Sequence, residues 1–302
     1  MRFLPRLIVL AALVITTFLS WRLLLRSPAT SQGGDLAPKA EEGFTLTLDT
    51  FLHVQQLRKK RLRAFCSQSG KVTTLPRSRE ERARLLSNLR VSTKLDLLYC
   101  QVPSTGTEEW QQLLERLEKE NVTPAVPLSY PWQHSQETQL REFNLTETEA
   151  MLGSYTKVLF VRDPFHRLIF TFMQDMGSSS SFSSFVQDVL DSGQHNSNVA
   201  WTPLVSLCQP CLIQYDYVVV FGFLSQELGH LLQRAGLPAD SFLPEFTDTQ
   251  VQWTYSWLSE QMFSELSLQQ KKQLSHFYRW DLAAFSFSSS FLSGLFSTPE
   301  TW

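Results

Sequence analysis

Three short apolar runs, at residues 95–102, 157–161 and 217–221, have the length and composition of buried β-strands. Two other stretches, residues 108–119 and 225–235, repeat their apolar side chains every three or four residues, which predicts amphipathic helices. Each of these helical stretches follows one of the strands. Strands that alternate with helices predict an α/β fold with a parallel sheet covered on both faces.

Two loops of this predicted sheet are the places where a ligand would bind. In parallel α/β sheets, ligands lie beyond the carboxyl ends of the strands, where loops lead into the amino ends of helices. The loops in question begin at Pro103 and at Arg162. We therefore expect the chemistry of the protein to reside there.

An apolar run at residues 7–25 precedes the globular part of the chain. Its length suits a helix that crosses a thin bilayer, so we predict a cytoplasmic tail at residues 1–6 and a signal-anchor helix at residues 7–25. A cleaved signal peptide is the alternative, since the residues around Ala29 suit a cleavage site. Residues 26–43 have the composition of a flexible stem, and residues 44–302 would form a lumenal domain.

The charge of the chain narrows the class of partner. The formal net charge is −2, so the overall field would not gather nucleic acid, and any site for a polyanion must be a local patch. Basic side chains cluster at residues 57–63 and 77–84. These clusters have two interpretations, which are solvated helix faces or surfaces that contact a charged glycan or a membrane.

All four cysteines, Cys66, Cys100, Cys208 and Cys211, follow the predicted anchor. An even number of cysteines in an oxidising compartment indicates disulfides, and three pairings are possible. Cys208 and Cys211 also have the spacing of half a zinc site, but no second half follows, so we predict no metal. A buried free thiol is a further alternative for Cys100.

The most specific segment, residues 155–169, reads Tyr-Thr-Lys-Val-Leu-Phe-Val-Arg-Asp-Pro-Phe-His-Arg-Leu-Ile. It resembles the Lys-x-Leu-Phe-Val-Arg-Asp-Pro-Phe-x-Arg-Leu signature of carbohydrate sulfotransferases related to the human natural killer-1, chondroitin 4-O and dermatan 4-O enzymes. Further blocks at residues 98–110, 207–217 and 278–285 are similar to that family in the same order. The resemblance implies a P-loop-like, three-layer sulfotransferase fold with a central parallel sheet.

The resemblance also implies a reaction, in which a sulfuryl group passes from 3'-phosphoadenosine-5'-phosphosulfate to a glycan hydroxyl. Such a transfer depends on alignment and charge stabilisation more than on covalent catalysis. In the family, the first loop holds the phosphosulfate with a lysine and backbone N–H groups, and the second loop holds the 3'-phosphate with an arginine and a serine. The donor-binding positions carried over to this chain are Ser104, Thr105, Gly106, Thr107, Arg162 and Thr171.

Several residues depart from the family pattern at these loops. Ser104 stands where the family has its lysine, and Glu108 and Glu109 place negative charge in the first turn of the following helix. Phe170 replaces the phosphate-binding serine, and Met173 replaces a basic residue. Two interpretations follow, an active Golgi carbohydrate sulfotransferase with an altered donor site, or a catalytically impaired relative that binds a glycan or a partner protein.

No spacing in the sequence selects the general base that would take the proton from the acceptor. His134 is one candidate catalytic residue, and Ser104 is another by its position in the first loop. Other proton acceptors in the two loops or in the segments after them are His166, His195, Glu109 and Asp163. Arg167 is interpreted as structural, and Trp201 as either core or acceptor-stacking.

Two acceptor sequons, at Asn121 and Asn144, predict N-glycosylation and therefore a lumenal domain. Together with the anchor, they predict a single-pass type II membrane protein, and the family resemblance implies that its membrane is that of the Golgi. A glycan acceptor and a homo- or hetero-oligomer with related sulfotransferases are the expected partners.

Overall fold

The computed structural model describes residues 46–71, 73–119, 138–174, 181–192, 198–234 and 257–287. The strands are β1 (Leu89–Ser92), β2 (Leu97–Cys100), β3 (Thr138–Gln139), β4 (Thr156–Val161) and β5 (Tyr217–Val220). The first helices are α1 (Leu48–Ser69), α2 (Arg79–Leu85), α3 (Thr107–Lys119), α4 (Leu145–Ser154), α5 (Pro164–Gln174) and α6 (Phe182–Ser192). They are followed by α7 (Leu204–Cys208), α8 (Pro210–Ile213), α9 (Leu224–Arg234), α10 (residues 257–264), α11 (Leu268–Phe277) and α12 (Arg279–Phe285), with 3-10 turns at Leu140–Glu142 and Phe221–Phe223.

The five strands form one sheet in the order β3-β1-β2-β4-β5. The pairs β2–β4 and β4–β5 are parallel, whereas β1 is antiparallel to both β2 and β3. The three strands and two helices predicted from the apolar pattern are confirmed to within three residues at each end. The prediction of a parallel sheet is wrong at one edge, because a tight turn after Ser92 folds β2 back along β1.

Helices cover both faces of the sheet, which makes three layers. Alternate residues of β4 point to opposite sides: Leu159 and Val161 join a core that includes residues of α1, while Val158 and Phe160 join a core with α3 and α9. The second core is built on the apolar stripe of α3, where Trp110 is 1% exposed. Burial on both faces explains why β4 reads as a continuous apolar run.

A third cluster lies around α5, the helix that follows β4. Its inward side chains, Phe165, Leu168 and Ile169, pack against α6 and against the carboxyl-terminal helices. Trp201 belongs to this cluster, where its ring meets Phe185 edge to face at 5.9 Å between centroids. The core interpretation of Trp201 is therefore the one that the structure supports.

Two disulfides tie the Cys-x-x-Cys segment to the rest of the domain. Cys100 at the end of β2 bonds with Cys208, and Cys66 of α1 bonds with Cys211. The free-thiol alternative for Cys100 and the zinc half-site are thus wrong, because all four sulfurs are in disulfides. Each bond closes a loop of more than a hundred residues, which restricts the unfolded chain strongly.

Several predictions fall on residues outside the described ranges, namely the segments at 1–6, 7–25 and 26–43, the base candidates His134 and His195, and the sequon at Asn121. Every helix within the described ranges is too short or too polar to traverse a bilayer. In the same ranges, no cluster of three or more His, Cys, Asp or Glu side chains is arranged to hold a metal ion.

Asn144, the second sequon asparagine, caps the amino end of α4. Its Oδ1 accepts from the Glu147 N–H at 2.9 Å, and the Glu147 carboxylate accepts from the Asn144 N–H at 3.0 Å. This reciprocal pair is a capping box. Because the cap uses the side-chain oxygen and the residue is exposed, the amide nitrogen that would carry a glycan is not part of the cap.

Asp281 caps another helix from inside the core. This completely buried carboxylate accepts from the N–H groups of Leu204 and Val205 at 2.7 and 2.9 Å, and so fixes the start of α7. Burial raises the pKa of Asp281 to about 6, while the two N–H donors and Arg167 oppose the rise. The carboxyl group therefore takes up a proton more readily in the folded protein than in the unfolded chain.

This shift predicts a stability that depends on pH. The unfolded chain loses the proton of Asp281 near pH 4 and the folded protein near pH 6, so the free energy of unfolding should fall as pH rises between them, by about 3 kcal/mol at most from this group. Urea unfolding at pH 4 and pH 6.5 should show that Asp281→Asn removes this part of the dependence. Asp191→Asn, at an exposed position, should leave the dependence as it is; identical curves for both variants would contradict the account.

Candidate functional site

The two loops predicted to carry the chemistry lie side by side. β2 and β4 are parallel neighbours, with Leu97 opposite Thr156 and Tyr99 opposite Val158, so their carboxyl ends meet at one edge of the sheet. The loops are joined there by a hydrogen bond, in which Arg162 Nη1 donates to the Ser104 carbonyl oxygen at 3.0 Å. The structure thus brings the two predicted loops together at one edge of the sheet.

The first loop is held in a specific backbone shape. Ser104 has a φ of 65° and Gly106 a φ of 99°, both in the left-handed region that favours glycine. A Cβ on Gly106 would lie 2.7 Å from Leu224 Cδ2, so any other residue would have to displace the Leu224 side chain at the start of α9 and adopt a strained φ. The hydroxyls of Thr105 and Thr107 both donate to the Val102 carbonyl oxygen at 2.8 Å. These two hydrogen bonds therefore stabilise the conformation of the loop.

Glu108 provides an anion at the position where the family resemblance expects a ligand. Its Oε1 accepts a hydrogen bond from the Ser104 N–H at 2.9 Å. A carboxylate in the first turn of α3 is also favoured by the helix dipole. The exposed Glu108 carboxylate thus places a negative charge at the Ser104 amide. A bound phosphosulfate would place its own negative charge at the same amide.

Glu109 adds a second carboxylate next to this one. Burial raises its pKa, the charge of Glu108 adds to the rise, and a backbone hydrogen bond and the Arg162 cation oppose it. Within the described part of the chain, Oε2 of Glu109 is buried and has no hydrogen-bond partner. The two glutamates make the first loop acidic, which is the reverse of what a polyanionic donor requires.

Arg162 is the cation of the site and lies between two aromatic rings. It is 3% exposed, and its guanidinium carbon is 4.1 Å from the centroid of Phe221 and 5.3 Å from that of Phe170. Such cation–π contacts stabilise a desolvated guanidinium. Phe170, which replaces the family's serine, thus packs on the arginine. Phe221 was not predicted to belong to the site. Its position directly after β5, at the same edge of the sheet, was a signal that could have identified it.

Asp163 and Pro164 start the helix that follows Arg162. Asp163 Oδ1 accepts from the N–H groups of Phe165 and His166 at 2.9 and 3.3 Å, and Pro164 occupies the first helical position. Burial lowers the pKa of the His166 imidazole; the Asp163 carboxylate works against this and the Arg162 cation adds to it. The pKa of His166 is therefore held below that of a free imidazole, which favours the neutral ring.

Two other residues of α5 have structural contacts. Arg167 is completely buried and donates to three carbonyl oxygens, those of Thr202, Val199 and Ala200, at 3.0 to 3.2 Å, as its structural interpretation predicted. Thr171 donates to the carbonyl oxygen of Arg167 at 2.9 Å within the same helix. The Thr171 hydroxyl thus donates to a carbonyl oxygen one turn earlier in α5. Its side chain lies on a different side of the helix from Phe170.

Comparison with known proteins decides the family. The model of the sulfotransferase family matches residues 87–288, which is most of the chain. The chain belongs to the sulfotransferase family. It is 26% identical to human carbohydrate sulfotransferase 9 over 79% of this chain and 61% of that protein, and 28% identical to mouse carbohydrate sulfotransferase 8 over 89% and 74%. Zebrafish carbohydrate sulfotransferase 14 is 24% identical over 64% of this chain and 60% of that protein.

This sulfotransferase domain spans about three fifths of the human relative's length. No solved structure matches the chain.

The loops fit the family's sulfate donor only in part. Arg162 keeps the buried cation that would face a phosphate, and Gly106 keeps the loop shape. The Ser104 amide, in contrast, already has the Glu108 carboxylate as its acceptor, and no lysine follows Pro103. The Glu108 side chain would have to leave the Ser104 amide before a phosphosulfate could bind there, and its exposure leaves it room to do so.

The bond between Glu108 and Ser104 yields a direct prediction. Glu108→Gln keeps the size of the side chain but removes its charge, so adenosine 3',5'-bisphosphate should bind about tenfold more tightly, as expected for one like charge removed at short range. Isothermal titration calorimetry measures this affinity.

Glu115→Gln makes the same charge change two turns further along α3 and should alter the affinity by less than about twofold, since the distance is near the screening length. An equal gain in both variants would show that only net charge matters. No gain in either would show that the nucleotide does not use the Ser104 amide.

Proposed function

We propose that this protein is a carbohydrate sulfotransferase, which transfers sulfate from 3'-phosphoadenosine-5'-phosphosulfate to a hydroxyl of a glycosaminoglycan or of an N- or O-linked glycan. The observation that carries the proposal is the buried Arg162, held against the Ser104 carbonyl at the edge of the sheet where ligands of such folds bind. The names of the relatives, all carbohydrate sulfotransferases, support the same reaction class.

The residues around Arg162 have separate parts in this proposal. Arg162 holds a donor phosphate by charge and by hydrogen bonding, and the two phenylalanine rings keep it desolvated and fixed. The N–H groups at the start of α3 hold the sulfate end when Glu108 has moved. His166, whose lowered pKa favours the neutral imidazole, is the candidate that accepts the proton of an acceptor hydroxyl. His134 stays a second candidate for that part.

One specific arrangement favours a second candidate function, a catalytically impaired module that binds a glycan or a partner. Glu108 satisfies the loop amide without any ligand, and Phe170 covers the guanidinium where the family has a serine. Both features stabilise the site in the absence of donor. The comparisons do not favour this alternative over sulfate transfer, and a transfer assay separates the two.

The proposed setting is the Golgi lumen, with the protein held in the membrane by residues 7–25 as a type II protein. The sequon at Asn144 supports a lumenal domain, since that asparagine is exposed and its cap leaves the amide nitrogen available. Asn121 would be a second glycosylation site. Association with a related sulfotransferase is part of the proposal and would suit either candidate function.

A transfer assay with radiolabelled donor tests the proposed function. Desulfated chondroitin, desulfated dermatan and an asialo N-glycan serve as acceptors, and the full chain should label at least one of them. Arg162→Ala should lower the rate at least about a hundredfold, because a charge-stabilising group is lost. Arg141→Ala, an exposed arginine outside the two loops, should leave the rate unchanged. No labelling of any acceptor at millimolar donor would contradict the proposal.

A further inference from the structure

A cavity of about 660 Å³ opens at the end of the sheet opposite to the two loops. It lies beside the amino ends of β4 and β5, where Lys157 is the second residue of β4 and Asp216 directly precedes β5. Arg162 follows Lys157 by five positions, just past the end of β4, which is about 16 Å along a strand. The cavity has the volume of a small-ligand site and is separate from the donor loops.

The basic run at residues 57–63 supplies one wall of this cavity. Because the run is helical, its side chains point in several directions. Arg58 turns inward to Glu227, with Nη1 and Oε2 2.7 Å apart. Lys59 and Arg63, four residues apart and therefore on one face of α1, line the cavity, whereas Lys60 and Arg61 line a different groove.

The charge of the cavity is positive in a chain whose net charge is negative. Three cations, Lys59, Arg63 and Lys157, and one carboxylate, that of Asp216, line it. Lys157 Nζ lies 3.0 Å from Asp216 Oδ2 and donates to the Tyr155 carbonyl oxygen at 3.1 Å, so this pair is internally neutral. In the described part of the chain no carboxylate is in ion-pair distance of Lys59 or Arg63, and their charges remain for a ligand.

The wall between these cations is partly apolar and is held by a disulfide. Leu62, Leu152 and Leu212 line the cavity with the ring of Tyr215, and the disulfide between Cys66 and Cys211 joins α1 to α8 across it. A concave site with apolar side chains in its floor and two cations beside them suits a sugar ring that carries an anionic group. A flat membrane surface would not reach such a floor.

We propose that this cavity is a binding site for an acidic glycan segment, whose sulfate or carboxylate groups pair with Lys59 and Arg63. The choice of a glycan as carrier of the anion rests on the proposed function. The site itself rests on the cavity and its charges and needs neither donor nor catalysis. It would hold an acidic chain at a distance from the reacting hydroxyl.

The test uses the full chain and a chondroitin sulfate hexasaccharide, without nucleotide. Lys59→Gln with Arg63→Gln should weaken binding about tenfold or more, because two charge-assisted contacts are lost. Lys60→Gln with Arg61→Gln makes the same charge change on the same helix but outside the cavity, and should change the affinity by less than about twofold. Desulfated chondroitin hexasaccharide should bind more weakly than the sulfated form.

Three outcomes would overturn the inference. Equal losses in the two double variants would mean that the helix attracts anions through its general field. No binding of the hexasaccharide at millimolar concentration would exclude the site. The third outcome is that the chain binds phosphatidylserine vesicles but no hexasaccharide, and that Lys59→Gln with Arg63→Gln abolishes vesicle binding. That result would assign these cations to a membrane. Arg162→Ala should leave hexasaccharide binding intact, so an inactive donor site would not be mistaken for failure of this proposal.

Discussion

The parallel pairing of β2 with β4 is the constraint on which the functional site depends. Their register places Ser104 and Arg162 at the same edge of the sheet, where one hydrogen bond joins them. The two loops supply different kinds of group to a charged ligand, backbone N–H donors in one and a guanidinium in the other. The disulfide between Cys100 and Cys208 fixes the end of β2 just before the first loop.

At this site, groups of the chain itself contact the Ser104 amide and the Arg162 cation. The family resemblance expects a bound nucleotide to make those contacts. The Ser104 amide has the Glu108 carboxylate as its acceptor, and Arg162 has the faces of Phe170 and Phe221. Both arrangements stabilise the loops without a nucleotide. A donor must therefore compete with an internal carboxylate, and its affinity should be lower than the loop geometry alone would give.

Much of this arrangement could be predicted from the sequence, because long apolar runs and an ordered set of motifs carry strong signals. β4 and β5 come from continuous apolar runs and were identified to within one residue at each end. β1 was missed because it is four residues long, includes Arg90 and lies directly before a turn, so it has no distinct apolar run. The pairing of Cys66 with Cys211 could not be chosen from the sequence, since three pairings were equally compatible with the spacing.

The contacts inside the site were the least predictable part. The negative charge of Glu108 was evident, but its bond to the Ser104 amide depends on a left-handed φ that a serine seldom adopts. The stacking of Phe221 on Arg162 joins residues that are distant in sequence, and no spacing encodes it. Side-chain direction in loops follows from packing against other elements, which a local pattern does not contain.

Titration of the full chain with adenosine 3',5'-bisphosphate, followed by calorimetry, tests the central claim most directly. The account predicts a saturable heat at nucleotide concentrations up to millimolar, and its loss in Arg162→Ala, because Arg162 is the buried cation at the edge of the sheet. Absence of heat from the unmodified chain, or equal heat from the variant, would contradict the claim that Arg162 and the first loop form a donor site.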